Sequence, residues 1–97
     1  MLDVKKMIAK MLKQEPVKMR VVQGSINRAF GSYVNVTAPN ITGYKFLAWA
    51  LVATRGWVGS VYPHNAENQT CTFWNASTGQ SGTGEIWCTA LYIPKGQ

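Results

Sequence analysis

Apolar residues follow two different periodicities along the chain, and the change occurs at Pro16. In residues 1–15 the apolar side chains recur at spacings of three and four, which places them on one face of an α-helix. They are Val4, Met7, Ile8, Met11 and Leu12. Pro16 would end this helix because proline cannot donate the backbone hydrogen bond that helix continuation requires. The pattern therefore predicts a short N-terminal α-helix over residues 1–15.

A helix of this length is marginally stable alone in water, so its apolar stripe requires a partner. The sequence leaves open whether that partner is the rest of the same chain or the same helix in other copies. A membrane surface or a protein that binds basic amphipathic helices is disfavoured, because residues 1–15 contain no aromatic residue. We expect an interface between copies that includes Val4, Met7, Ile8 and Met11.

Residues 16–97 alternate between runs rich in Val, Ile, Thr and aromatic residues and turns rich in Gly, Pro, Asn and Ser. The runs predict β-strands and the turn residues separate them. Six strands are expected, over residues 17–23, 32–38, 44–54, 57–62, 69–75 and 85–93. The predicted fold class is all-β, an antiparallel β-sandwich of jelly-roll type over residues 16–97, preceded by the short α-helix.

The last two predicted strands can be aligned as a hairpin across residues 77–82. With Ala76 opposite Thr83, one face of the hairpin carries core-like side chains and the other carries Trp and Thr. The core-like set is Cys71, Phe73, Ile86, Cys88, Ala90 and Tyr92. Cys71 then faces Cys88. We expect two reduced thiols because the chain begins without a secretion-signal pattern, and a strained cross-strand disulfide is the alternative.

The predicted strand over residues 44–54 is apolar on both faces if its side chains alternate regularly. One face would carry Phe46, Ala48, Ala50 and Val52, and the other would carry Leu47, Trp49, Leu51 and Ala53. Such a strand is expected to be buried on both faces, whereas a two-layer fold buries only one face of each sheet. The second face would then be covered by a neighbouring copy or by the N-terminal helix. We expect Trp49 and Trp87 to lie in the interface between copies.

Composition and charge exclude several classes of protein. The 97 residues are 46% hydrophobic and 14% charged, which excludes a disordered tail and a coiled coil along the whole length. The formal net charge of +6 is concentrated in residues 1–20, whereas every aromatic residue follows residue 20. An oligonucleotide-binding barrel would interleave the two types, so we expect no nucleic-acid partner and keep such a barrel as a lesser alternative. No apolar run is long enough to insert into a membrane.

The residues that carry catalysis or bind metals are sparse. One His, His64, and two Cys separated by seventeen positions do not form a zinc site. Glu67 and Glu85 are the only acidic residues after residue 20. A glycosidase needs two carboxylates on either side of the scissile bond, and nothing in the sequence places these two together. No glycine-rich segment continues into a phosphate-binding motif. We expect no catalytic residue, no metal, no cofactor and no enzymatic activity.

Neutral aromatic and amide side chains near the predicted loops fit a carbohydrate site. Trp and Tyr present flat faces to sugar rings, and Asn, Thr and Ser offer neutral hydrogen-bonding groups. The expected ligand-binding residues are Trp57, Tyr62, Asn65, Asn68, Trp74 and Asn75. For each Trp the alternative is a place in the core or in an interface, although four Trp are many for so small a core.

Three segments resemble a known class of viral proteins: FLAWALV at 46–52, GWVG at 56–59 and GEIWCTALYI at 84–93. With the low charge around them, they resemble the terminal head domain of phage and prophage tail-tip, tail-fibre or minor structural proteins. The resemblance implies a homotrimer that binds host-surface polysaccharide and other virion tail proteins. It also implies assembly in the bacterial cytoplasm and a place in the virion tail. A monomeric carbohydrate-binding or adhesin module is the alternative.

Overall fold

The computed structural model describes residues 17–96, and this part of the chain is all-β. Each predicted strand has a counterpart in it, whereas the predicted helix over residues 1–15 lies outside the described residues. The strands are β1 (Lys18–Asn27), β2 (Tyr33–Thr37), β3 (Tyr44–Arg55), β4 (Val61–Pro63), β5 (Thr70–Asn75) and β6 (Thr83–Pro94). Nothing in residues 17–96 forms a helix with the length and apolar character needed to span a membrane.

Two strands differ most from their predicted bounds. β1 continues through Gly24 to Asn27, beyond the predicted end at residue 23. A Cβ atom at Gly24 would lie 3.1 Å from Cγ2 of Val36 and 3.2 Å from Cγ1 of Ile86, so the missing side chain lets β1 pass close to its neighbours. β4 starts only at Val61, because the Thr54 hydroxyl donates a 2.9 Å hydrogen bond to the Trp57 carbonyl and keeps that segment in a turn.

The six strands form two antiparallel three-stranded sheets. β6 lies between β1 and β3 in one sheet, which we call the long sheet. β5 lies between β2 and β4 in the other, which we call the short sheet. Four of the five connections between strands therefore cross from one sheet to the other. The exception is the connection from β4 to β5, which stays in the short sheet.

This arrangement contradicts the predicted hairpin of the last two strands. β5 and β6 belong to different sheets, and the segment between them connects the two layers. The predicted inward face is nevertheless correct, because its six side chains are all at most 1% exposed. Alternation along a strand shows which side chains point inward. It does not show whether two strands with matching inward faces are neighbours in one sheet or lie in two facing sheets.

The inner faces of the two sheets share one hydrophobic core. Trp49 of the long sheet meets Phe73 of the short sheet edge to face, with ring centroids 5.4 Å apart. Phe46 continues this aromatic contact toward Tyr92, at 5.9 Å. Edge-to-face pairs of this kind add to the stabilisation that burial alone provides.

The predicted alternation along β3 is wrong because the strand contains two bulges. Its pairing with β6 shifts between Phe46 and Ala48 and again between Trp49 and Leu51. Each bulge adds one residue on a single strand and so reverses the alternation. Trp49 therefore lies inward, 5% exposed, and its indole N–H donates to the Asn68 carbonyl at 2.9 Å. Trp49 is a core residue, and its predicted place in an interface between copies is corrected.

The two cysteines are buried free thiols. Burial raises the pKa of Cys71, and burial together with the neighbouring Cys71 raises the pKa of Cys88 to about 12. Because the thiolate is the reactive form of cysteine, both side chains are protonated and unreactive at neutral pH. They act as small apolar residues of the core.

Candidate functional site

Three aromatic side chains lie in one row across the outer face of the short sheet. Tyr33 of β2 and Tyr62 of β4 both oppose Trp74 of β5. Tyr33 is 69% exposed, Tyr62 is 55% exposed and Trp74 is 37% exposed. Phe30, in the loop before β2, adds a fourth ring, which meets Trp74 at 5.7 Å and 72°. We call these four residues the aromatic platform.

The scaffold holds this platform in a defined shape. Neighbouring strands are about 4.8 Å apart, so the Tyr33–Trp74–Tyr62 row extends over about 10 Å. Trp74 stands in the middle of the row, and the nearly perpendicular Phe30 ring limits rotation of its indole. A contiguous set of exposed aromatic rings is uncommon on a surface without a binding role.

Hydroxyl and amide groups follow the platform along the same outer face. Asn35 of β2 opposes Thr72 of β5, and Thr37 opposes Thr70. The Thr72 hydroxyl donates to Oδ1 of Asn35 at 2.6 Å, and the hydroxyls of Thr37 and Thr70 are 2.8 Å apart. These bonds fix the side chains, and the remaining donors and acceptors of the amide and hydroxyls are available to a ligand.

A shallow hollow of about 230 Å³ joins the rings to the polar groups. Tyr33, Trp74, Thr72 and His64 line it. The backbone N–H of His64 donates to the Thr72 carbonyl at 2.8 Å and so holds the loop after β4 beside the sheet. The hollow therefore combines two aromatic walls with a hydroxyl and an imidazole.

The platform is electrically neutral. The sequences of β2, β4 and β5, which are YVNVT, VYP and TCTFWN, contain no Lys, Arg, Asp or Glu. Glu67 lies in the loop between β4 and β5 but does not line the hollow. A ligand bound here would meet rings and neutral hydrogen-bonding groups.

The structure brings together two of the six predicted ligand-binding residues, Tyr62 and Trp74. Trp57 lies elsewhere, against the backbone of Gly59 and Gly84, and its indole N–H donates to the Glu85 carbonyl at 3.0 Å. The Trp57 ring therefore supports the connection between strands instead of lining the hollow.

The three predicted Asn residues stabilise loops. Oδ1 of Asn65 accepts a 2.8 Å hydrogen bond from the Thr72 N–H. Asn68 is exposed, and its backbone carbonyl accepts the hydrogen bond from the Trp49 indole. Asn75 is 0% exposed, donates to the Asn27 carbonyl at 3.0 Å and accepts from the Ser77 N–H at 2.8 Å. Asn75 cannot reach a ligand, so its predicted binding role is corrected.

Two of the predicted interface residues lie within the described part of the chain. Trp49 is in the core, as described above. Trp87 lies on the outer face of the long sheet, where the Arg55 guanidinium stands 4.0 Å from the centre of its ring system. Val4, Met7, Ile8 and Met11 lie outside the described residues.

Sequence reasoning missed Phe30, Tyr33, Asn35 and Thr72. Each lies in or beside a predicted strand, and the alternation of β2 already placed Tyr33 and Asn35 on one face. The missing information was the partner of β2, because Tyr33 and Trp74 are 41 positions apart in the sequence. The predicted pairing of β5 with β6 left β2 without its true partner, so Tyr33 was not recognised as the neighbour of Trp74.

Among residues 17–96, no three His, Cys, Asp or Glu side chains are grouped so that they could hold a metal ion. No protein-family model, curated protein or solved structure matches the chain.

Proposed function

We propose that the protein is a non-enzymatic carbohydrate-binding protein and that the aromatic platform is its saccharide site. The supporting observation is the exposed row formed by Tyr33, Trp74 and Tyr62. Aromatic rings offer flat apolar surfaces to the C–H faces of sugar rings, and the hydroxyl and amide groups of Thr72 and Asn35 suit sugar hydroxyls. The neutral surroundings favour an uncharged saccharide.

The same neutrality disfavours the alternative of a single-stranded nucleic-acid-binding protein. Bases also stack on aromatic side chains, but binding depends on Lys and Arg that neutralise the phosphates along the strand. The three strands that carry the platform provide no such side chain. Stacking without phosphate neutralisation favours a sugar over a nucleic acid.

The strand order supports a more specific architecture, a β-sandwich of jelly-roll type. β1 pairs with β6 and β2 pairs with β5, so the strands are nested from the two ends of the described chain inward. Jelly rolls are two-sheet folds that occur in viral capsid and lectin domains. This is a fold-level analogy, and it agrees with the proposed carbohydrate binding and with the viral class that the sequence resembles.

In the setting implied by the sequence resemblance, the saccharide is a polysaccharide of the bacterial host surface. The protein would then be a structural component of a phage or prophage tail, in contact with other tail proteins. The platform would serve recognition of the host, because no catalytic group is needed to hold a glycan on aromatic rings.

We further propose that the protein is a homotrimer; the outer face of the long sheet supports contact between copies, and the number of copies is the one that the sequence resemblance implies. Met19 is 68% exposed, Val21 is 51% exposed and Leu51 is 70% exposed. Val21 and Leu51 both oppose Thr89, and Met19 opposes Leu91, so these side chains are contiguous. We call this surface the aliphatic face. Contiguous exposed apolar surface of this kind marks a protein contact.

The order of the chain agrees with this assembly. Residues 1–16 join the described chain just before β1, the strand that contributes Met19 and Val21 to the aliphatic face. Copies joined through this face would therefore bring their N-terminal segments together. The expected contacts of Val4, Met7, Ile8 and Met11 would then extend the same interface.

Calorimetric titration with uncharged oligosaccharides tests the saccharide site. The panel is cellohexaose, maltohexaose, laminarihexaose and chitohexaose, with oligothymidylate as the nucleic-acid comparison. For a saccharide that binds, Trp74→Ala is expected to weaken the affinity per site at least tenfold, because the central ring is lost. Trp87→Ala is the matched control, since it removes a Trp from the opposite sheet, and it is expected to change the affinity less than twofold.

Two results would overturn the saccharide site. One is undiminished binding of the saccharide by the Trp74→Ala protein. The other is tight, salt-sensitive binding of oligothymidylate with none of the saccharides bound, which would favour the nucleic-acid alternative.

A further inference from the structure

The outer face of the short sheet carries two parallel rows of side chains. The ring row is the exposed series Tyr33, Trp74 and Tyr62. The polar row consists of Asn35, Thr72 and His64. Asn35 opposes Thr72 in the pairing of β2 with β5, and the His64 N–H donates to the Thr72 carbonyl at 2.8 Å. Two positions along the chain separate the rows on each strand, a distance of about 7 Å.

Both rows run across the strands of the short sheet. Neighbouring strands are about 4.8 Å apart, so each row presents one side chain per strand spacing and extends over about 10 Å. β2 and β4 are the two edges of this sheet within residues 17–96. A long ligand that lies along the rows would therefore pass over both edge strands.

The loop before β2 lies on the other side of the ring row. The Gly31 N–H donates to the Asn75 carbonyl at 2.8 Å, which holds this loop beside the end of β5. Phe30 of the same loop meets Trp74 at 5.7 Å between ring centroids. The ring row thus has Phe30 on one side of its central residue and the polar row on the other. This shape favours a long, narrow ligand.

The polar row has hydrogen-bonding groups left for such a ligand. The Thr72 hydroxyl donates to Oδ1 of Asn35 at 2.6 Å, which fixes both side chains and leaves Nδ2 of Asn35 as a donor. The Thr72 oxygen retains a lone pair that accepts. His64 lines the hollow between the rows, and its imidazole offers ring nitrogens beside β4. One edge of a ligand would meet a polar partner at each strand.

We propose that the platform binds a linear β-1,4-linked glycan of glucose or N-acetylglucosamine units. Its sugar rings would lie on the ring row and one edge of the chain on the polar row. This inference rests on the proposed saccharide function and names the class of saccharide. In such a chain both linkages of each unit are equatorial, so the units follow a nearly straight line and each advances by about one strand spacing.

The faces of these sugars also match the ring row. Every ring substituent of a β-linked glucose or N-acetylglucosamine unit is equatorial, so both faces of the unit are C–H surfaces. Successive units of the chain turn opposite faces to the protein, and each face packs on an aromatic ring. An axial hydroxyl, as in mannose or galactose, makes one of the two faces polar. Chains with α-1,4 or β-1,3 linkages curve, so successive units leave a straight row.

Calorimetric titration with a length series tests the row. The affinity per site is expected to rise at least tenfold from cellobiose to cellotriose, because the third unit reaches the third ring. Further extension to cellohexaose should change it less than threefold. At equal length, cellohexaose is expected to bind at least tenfold more tightly than maltohexaose and laminarihexaose. The ratio of chitohexaose to cellohexaose affinity shows which of the two sugars is preferred.

Variants at the ends of the ring row test its length. Tyr33→Ala and Tyr62→Ala each remove an end ring and are expected to weaken cellotriose binding at least fivefold. The advantage of cellotriose over cellobiose should then largely disappear. Trp87→Ala on the opposite sheet is the control, and it is expected to leave the length dependence unchanged.

A matched pair of variants tests the polar row. Thr72→Val removes its central hydroxyl and is expected to weaken cellotriose binding at least threefold. Thr70→Val makes the same change on the same face of β5, about 13 Å from Trp74. A chain that lies across the strands does not reach Thr70, so this variant is expected to change the affinity less than twofold.

A nitroxide label on the reducing end of cellotetraose shows the direction of the bound chain. In ¹H–¹⁵N spectra of the full chain, the label is expected to broaden the backbone amides of one edge strand, β2 or β4. A glycan that lay along β5 would instead place the label near one end of that strand, at Thr70 or Ala76.

Three outcomes would overturn the linear glycan while the saccharide site itself stands. They are maltohexaose or laminarihexaose binding as tightly as cellohexaose in a manner lost in the Trp74→Ala protein, cellobiose binding as tightly as cellotriose, and broadening confined to one end of β5. Failure of every saccharide to bind, or undiminished binding by the Trp74→Ala protein, would overturn the proposed function and this inference with it.

Discussion

The two outer faces of the molecule carry different chemistry on similar antiparallel sheets. The short sheet presents rings beside hydroxyl and amide groups, whereas the long sheet presents Met19, Val21 and Leu51. Rings with neighbouring polar groups can orient a small ligand, whereas aliphatic side chains gain from burial in any direction. If the proposed function is correct, exposed apolar surface has two roles here: the rings of the short sheet recognise a sugar in a set orientation, and the aliphatic side chains of the long sheet contact another copy.

The largest expected effect is on the free energy of unfolding, and it distinguishes the core from the outer faces. Trp49→Ala is expected to lower the free energy of unfolding by about 3–5 kcal/mol, because it removes a buried ring. Tyr33→Ala also removes an aromatic ring, but from the exposed platform, and should cost less than about 1 kcal/mol. Urea unfolding measures both. Equal losses would show that the platform is a structural element and would remove it as a ligand site.

The second prediction concerns the aliphatic face. Leu51→Asp places a charge on that face, at its most exposed side chain, and is expected to reduce the mass in solution from roughly three times 10.7 kDa to that of a single chain. Tyr62→Asp makes a similar change on the opposite sheet and should leave the mass unchanged. Size-exclusion chromatography with light scattering measures both. A wild-type monomer would overturn the homotrimer and favour the alternative in which residues 1–16 cover the aliphatic face within one chain.

The smallest effect concerns the core that both faces share. Burial raises the pKa of Cys71, Cys88 and Tyr92, so the folded state retains protons that the unfolded chain has already released. Unfolding is then favoured progressively as the pH rises above the ordinary cysteine value of 9.0 toward about 12. Urea midpoints under reducing conditions should be constant from pH 7 to 8.5 and fall by pH 10.5.

A variant assigns this pH dependence to the buried thiol. Cys88→Ala should start from a lower midpoint at pH 7, because it leaves a small cavity, and should then lose less between pH 8.5 and 10.5. An identical decline in both proteins would mean that other groups cause it.

Local patterns in the sequence predicted much of the fold. Runs rich in Val, Ile, Thr and aromatic residues identified the six strands. Period-two alternation, which is also a property of neighbouring residues, identified the inward positions of Phe73, Ile86 and Cys88. It could not show the bulges of β3, because a bulge depends on the pairing with β6. For that reason Trp49 was assigned to the wrong face.

The candidate site was predictable only in part for a related reason. Tyr62 and Trp74 were identified from residue type and position near loops. Tyr33 became part of the site through the pairing of β2 with β5, which no local pattern reveals. Asn75 has a side chain of the type that binds sugars, but it is buried like a core residue. Only the three-dimensional structure shows this burial.

The nested strand order has a consequence for how the protein forms. β6, the last strand in residues 17–96, is the central strand of the long sheet, and it joins β1 to β3. A growing chain that still lacks β6 exposes unpaired edges of both partners, and such edges invite pairing with other chains. Contacts between distant parts of the sequence also slow folding. The long sheet should therefore form late and all at once, when β6 closes the gap between β1 and β3.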